Sequence, residues 1–259
     1  MTASVPRPVP VAPGRPGITG AVHSYDLSIG VDGPGTRFVA FLAGCPLRCQ
    51  FCHSPDTWYR RSGTATTVDE LMERVLGYRR FISVAGGGVT LSGGEPLMQP
   101  DFVRAVLRRC RDADLHTALD TSGFLGARAD DALLDATDLV LLDIKSSDPQ
   151  TYRRVTRTGR VDPTLRFAHR LAERGMPIWI RFVLVPGLTD AESNVAGVAE
   201  VVAGLSSVDR VEVLPFHRLG AHKYAELGLE FPLAATAPPG PALLDRVRRQ
   251  FRAHGLTVY

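Results

Sequence analysis

A chain of 259 residues with 44% hydrophobic composition can bury a large core, and its length fits one α/β domain of barrel size. The net charge is only +3, and the 28 arginines are scattered among acids, which excludes the basic stripe of a nucleic-acid groove. No window approaches the roughly 18 apolar residues of a membrane span, and four cysteines, three of them clustered, do not form the scattered even set of a secreted disulfide framework. A reducing cytoplasm is expected, with no nucleic-acid and no membrane partner.

In chain order, the N-terminal MTASVPRPVPVAPGRPG lacks the apolar centre of a signal peptide. Residues 1–17 read as a disordered Pro-rich tail, followed by one domain over residues 18–259. VDGPG, Val31 to Gly35, has turn chemistry. Short apolar runs then recur as candidate strands: Arg37–Leu42, Gly88–Leu91, His116–Leu119, Leu139–Leu142, Pro177–Val183 and Arg210–Leu214. Such runs belong to strands buried on both faces. Amphipathic stretches alternate with them at Val68–Phe81, Asp101–Ala113, Ala129–Ala136, Pro163–Arg174 and Ala191–Leu205, with Thr67 and Asp190 as N-caps. A last helix, Ala242–His254, precedes a short run, Leu256–Tyr259.

Alternation of strand and helix predicts a parallel sheet with right-handed crossovers. Six units are too few for a closed eight-fold barrel and suit an open, partial one; a doubly wound sheet is the competing architecture. Both put a functional site at the C-terminal ends of the strands. The polar motifs fall there: Cys45–Cys52 after the first candidate strand, SGGEP (Ser92–Pro96) after the second, DTSG (Asp120–Gly123) after the third. DIK (Asp143–Lys145) follows the fourth, Arg181 lies on the fifth, and PFHRLGAHKY (Pro215–Tyr224) follows the sixth.

Cys45, Cys49 and Cys52 have Cys-x3-Cys-x2-Cys spacing, which lets three thiolates on a loop converge on a soft metal centre. Zinc would need a fourth ligand, and His53 is the neighbour available, although adjacent side chains seldom close one tetrahedron. A [4Fe-4S] cluster on three cysteines keeps one iron open for a substrate or cofactor. Cys110, inside a candidate helix, reads as a buried small apolar residue. Only two of the 30 basic residues are lysines, Lys145 and Lys223, so a lysine retained here points to a role that a guanidinium cannot fill.

The stretches VDGPGTRFVAFLAGCPLRCQFCHSPDTW, GGGVTLSGGEPLMQ, HTALDTSGF, LVLLDIK, WIRFVLVPGLTD and VEVLPFHRLGAHKY, in that order, resemble the radical S-adenosylmethionine (SAM) superfamily. Within it they are similar to the glycyl radical enzyme activases of the pyruvate formate-lyase type. The resemblance implies a partial (β/α)6 TIM-like barrel in which Cys45, Cys49 and Cys52 ligate a [4Fe-4S] cluster and SAM chelates the open iron. Reductive cleavage of SAM to a 5′-deoxyadenosyl radical, which abstracts a hydrogen atom from a glycine of pyruvate formate-lyase, is the implied activity. It also implies SAM contacts from Gly93, Gly94 and Glu95, the last accepting from the SAM ammonium.

By the same resemblance, Asp120, Thr121 and Asp143 lie around the SAM carboxylate with a monovalent cation near Asp120 and Asp143. The resemblance also puts Arg181 near SAM and His217 beside the adenosine, and an ammonium at Lys145, one of only two lysines, would pair with that carboxylate or with Asp143. Asp32 and, a few residues on, Arg37 serve recognition of the target peptide. A flavodoxin or ferredoxin is the implied electron donor, and a monomer the implied state. HSPDTW runs on to the Val68 helix without a ferredoxin-like insert, which favours the pyruvate formate-lyase type. The alternatives are activation of another glycyl radical enzyme, or a structural zinc module on the three cysteines and His53. The roles of His53, His222, Lys223 and Tyr224 stay open.

Overall fold

The computed structural model describes residues 17–259. The expected tail, but for Gly17, lies outside them. One sheet of eight strands organises the chain: β1 (Thr19–Ile29), β2 (Thr36–Leu42), β3 (Thr64–Thr67), β4 (Gly88–Gly93), β5 (His116–Thr121), β6 (Leu139–Asp143), β7 (Ile178–Leu184) and β8 (Val208–Pro215). Their order is β3-β1-β2-β4-β5-β6-β7-β8, unclosed. From β2 through β8 the neighbours are parallel. These are the six expected strands. β1 and β3 add an antiparallel edge that was not expected, because β1 is half-exposed and mixes Ser, His and Asp with apolar residues.

The helices are α1 (Val68–Gly77), α2 (Arg79–Val84), α3 (Pro100–Asp112), α4 (Asp131–Leu134), α5 (Pro149–Thr156), α6 (Asp162–Glu173), α7 (Glu192–Ala203), α8 (Ala221–Glu226) and α9 (Pro241–Ala253). Thr67 caps α1 as expected, in a reciprocal capping box with Glu70. The expected Val68–Phe81 helix is two, broken at Tyr78 just after Gly77. Asp190 is not a cap: its Oδ1 accepts from the Gly187 amide at 2.7 Å, and α7 starts after Ala191. α5 was not foreseen, although Asp148 caps it and Pro149 opens it.

Side chains alternate across each strand, so the sheet has two unlike faces. Phe38, Val89, Leu119, Val140, Ile180 and Val211 point to one face and join the main core under the helices. The other, concave face holds only a small apolar cluster, Ala118, Leu139, Leu141 and Trp179. Above that cluster, toward the C-terminal strand ends, the concave face becomes polar. The β1–β2 turn folds back over it: Thr90 Oγ1 donates to the Asp32 carbonyl at 2.6 Å, and Arg181 Nη2 donates to the Val31 carbonyl. At the far edge the expected run 256–259 pairs with β8 through the Val211–Val258 bridge.

Candidate active site

β2 delivers the chain into the cysteine loop, and that loop is pinned on three sides. The Gly44 and Cys45 amides donate to the carbonyls of Thr57 and Trp58 at 2.7 and 3.0 Å. The Arg48 and Gln50 amides donate to Thr156 and Val155, at the end of α5, each at 2.9 Å. Tyr224 on α8 donates its hydroxyl to the Cys52 carbonyl at 3.1 Å. Cys45, Leu47, Cys49, Phe51 and Cys52 face one cavity of about 450 Å³, whereas Pro46, Arg48 and Gln50 do not. The loop therefore has an inner side with the thiols and an outer side. Cavities of this size hold small-molecule ligands.

Gly93 and Gly94 line the same cavity. A Cβ on Gly93 would lie 2.4 Å from the Leu42 amide nitrogen, and one on Gly94 would lie 2.4 Å from the Gly44 carbonyl. The glycines are needed for backbone contact between the end of β4 and the cysteine loop. Glu95 amide then donates to Gly44 at 2.8 Å, locking the two together.

The charged residues meet across the sheet. Register places Asp143, Arg181 and Glu212 side by side on β6, β7 and β8. Arg181 Nη1 is 3.1 Å from Asp120 Oδ2, its Nη2 is 3.5 Å from Asp32 Oδ1, and its Nε is 3.4 Å from Glu212 Oε2. Ser92 Oγ donates to the same Asp120 oxygen at 2.6 Å. Burial pushes the Asp120 carboxyl up to about 6, against the pull of Arg181. Lys145 Nζ lies 2.8 Å from Asp143 Oδ2. Burial disfavours its ammonium, but Asp143 and Cys49 more than offset that and hold it protonated. His217 lines the mouth, with its ring centroid 5.9 Å from that of His53.

Burial raises all three thiols, Cys49 to about 12, so the unliganded loop keeps its protons and a metal centre must displace them. Among the described residues, no three His, Cys, Asp or Glu side chains gather around one point as a single ion requires. A cluster takes each thiolate on a different iron, so three thiols along one cavity wall are a donor set that fits it.

Residues 39–196 match the family model of the radical SAM superfamily. Pyruvate formate-lyase 1-activating enzyme of Escherichia coli (strain K12) is 39% identical over 244 residues, covering 93% of this chain and 98% of the relative. Pyruvate formate-lyase-activating enzyme of Clostridium pasteurianum is 41% identical over 218 residues, covering 83% and 90%. The chain belongs to the pyruvate formate-lyase activating enzyme family. The crystal structure of a domain of such an enzyme from Bacteroides vulgatus ATCC 8482 matches with a TM-score of 0.57 at 27% identity, over 67% of this chain and 98% of that one. A radical SAM methyltransferase from Sphaerobacter thermophilus shares the fold alone, with a TM-score of 0.61 at 17% identity, over 90% and 71%. Radical SAM chemistry, with its [4Fe-4S] cluster and SAM, comes with the family.

In this activase, the cavity wall gathers most of the residues expected at the site: the three cysteines, Gly93, Gly94, Asp120, Thr121, Asp143, Lys145, Arg181, His217 and Asp32. Two expected residues are placed elsewhere. Glu95 is fully buried behind the wall, where its carboxylate accepts from Thr121 Oγ1 (2.6 Å), Leu97 N (3.1 Å), Ser122 N (3.0 Å) and Ser122 Oγ (2.5 Å). It is a strut between β4 and β5, with no lone pair turned to the cavity. Arg37 is buried at the opposite end of β2, donating to Thr90 Oγ1 at 3.0 Å and to the Val89 carbonyl, with His116 Nδ1 at 2.9 Å. It props the β1–β2 turn from below and does not reach the mouth.

Sequence reasoning missed Ser92, Ser122 and Glu212. Glu212 had a legible signal, an acid inside the apolar run VEVLP and level with Arg181. Lys223 and Tyr224, left open before, brace the cysteine loop: Lys223 Nζ pairs with Asp56 at 3.0 Å, and Asp56 also meets His23 at 3.3 Å. Cys110 is buried against Met72 at 3.7 Å, as core packing requires.

Proposed function

We propose that this activase installs the glycyl radical on pyruvate formate-lyase, with Cys45, Cys49 and Cys52 holding the cluster. The observation that carries the reading is three thiols lining one cavity together with a buried set of paired carboxylates and cations. When bound, the cluster and SAM supply a one-electron reductive cleavage whose product takes a hydrogen atom from the target's glycine. The protein's part is to orient and to keep water out. Asp143, with Lys145 beside it, and Asp120, with Arg181, present fixed charges to the amino and carboxylate groups of SAM; Thr121 and the backbone at Gly93 and Gly94 bound the same space. His217 stands at the mouth for the adenosine.

Asp120 Oδ1 and Asp143 Oδ1 make no hydrogen bond among the described residues, which supports a monovalent cation between them. Val31 and Asp32 at the mouth support entry of the target loop there. The same reading takes flavodoxin or ferredoxin as electron donor and a monomer in the cytoplasm, consistent with the absence of any described helix long and apolar enough to cross a membrane. The test is an anaerobic incubation with reductant, SAM and pyruvate formate-lyase, read by electron paramagnetic resonance. A glycyl radical doublet is expected with the wild type and none with Cys49→Ala. A doublet from Cys49→Ala, or none from cluster-loaded wild type, overturns the assignment.

A further inference from the structure

The outer side of the cysteine loop carries a charge pattern that the site does not use. Arg48, Arg60 and Arg61 lie on the loop and its exit, and Arg153, Arg154, Arg157 and Arg160 lie on α5 and the turn after it. The two segments, 43–62 and 149–161, are one surface. Besides the amide bonds to α5, Gln50 Nε2 donates to the Arg154 carbonyl at 2.6 Å and Thr158 Oγ1 to the Pro46 carbonyl at 3.1 Å. Arg48 stacks over Trp58 and Tyr59, at 4.9 and 5.2 Å to the ring centroids, and Arg61 covers Tyr59 at 4.3 Å.

These segments hold seven arginines against one acid, Asp56, which is already engaged by Lys223 and His23. None of the seven has an ion-pair partner among the described residues, whereas Arg104, Arg170 and Arg174 on other helices do. The local surplus of six exceeds the whole chain's surplus of three, so the remainder of the molecule is net negative. An uncompensated single-sign face steers a partner of opposite sign.

We propose that this face docks an acidic one-electron carrier protein against the back of the cysteine loop. The proposal rests on the cluster reading above, because that chemistry requires an electron from outside. The two sides of the loop divide the work. The cavity side carries the carboxylates Asp32, Asp120 and Asp143 and must admit SAM and the target peptide, while the arginine side reaches the same thiol-bearing backbone without crossing the cavity. In the step, the carrier is oxidised by one electron and the cluster is reduced by one; no bond forms or breaks.

The test compares wild type, the double variant R153E/R160E on this face, and R108E/R111E on α3 as a control of equal charge change. Arg153, Arg160, Arg108 and Arg111 are all exposed. Two readouts are taken: the Kd for an oxidised acidic flavodoxin with cluster-free protein, and the rate of absorbance bleaching of loaded protein by reduced flavodoxin or by dithionite. For R153E/R160E both flavodoxin readouts should weaken about tenfold at low ionic strength and converge with wild type at high salt, with bleaching by dithionite unchanged. The control should match wild type. Unchanged flavodoxin binding in R153E/R160E, or equal loss in the control, overturns the proposal. Loaded wild type that dithionite does not bleach overturns the cluster reading instead, and the binding arm still judges the face.

Discussion

Glu95 and Lys145 show how differently two buried charges are used. The carboxylate of Glu95 takes four hydrogen bonds from β4–β5 neighbours, so removing it strands donors in the interior. Glu95→Ala is expected to lower the unfolding free energy of cluster-free protein by about 3 kcal/mol in urea titration, with Glu95→Gln losing about half as much because hydroxyls can reorient and the Ser122 amide cannot. A residue that only touched SAM would leave that midpoint unmoved. Lys145 was legible from composition, as one of two lysines among 30 basic residues, and it does sit on the cavity wall beside Asp143. Arg37 was not legible: nothing in VDGPGTRF tells that the guanidinium turns down the strand to Thr90 and His116 instead of up to the mouth.

At the scale of elements, the site depends on how closely β4 approaches the cysteine loop. Gly94 touches the Gly44 carbonyl, and an added Cβ at 2.4 Å must push the loop outward because the obstacle is backbone. Gly94→Ala is therefore expected to retain less than half of the wild-type iron after anaerobic gel filtration, whereas Gly77→Ala, in open space at the end of α1, stabilises by about 0.5 kcal/mol in urea titration. Full iron retention in Gly94→Ala would contradict this. The six parallel strands were readable because their burial on both faces leaves uninterrupted apolar runs. β1 was not readable, since its half-exposed edge position lets polar residues alternate irregularly, and β3 is only four residues of Thr and Ala. Asp190 had the composition of a cap, but the turn at Gly187 claimed its carboxylate first.

For the whole molecule, the two faces of one open sheet separate stability from chemistry. The convex face carries nearly all of the core, and the concave face is free to hold Asp120, Asp143 and Arg181 around a cavity, with Glu212 pairing Arg181 from β8. That division was legible in outline, because polar motifs at successive strand ends must share one rim in a parallel sheet. The folding back of the β1–β2 turn and the bracing of the cysteine loop by α5 and α8 were not, as both rest on long-range hydrogen bonds to backbone carbonyls that no local pattern announces. The central claim is that three thiols, and not four, hold the cluster. Its most direct test is the iron content and thiolate-to-iron absorbance of anaerobically reconstituted wild type, of Cys45→Ala, Cys49→Ala and Cys52→Ala, and of Cys110→Ala. Roughly four irons per chain are expected in wild type and Cys110→Ala, with the absorbance lost in each of the other three; an intact cluster in any of those three, or its loss in Cys110→Ala, would contradict the claim.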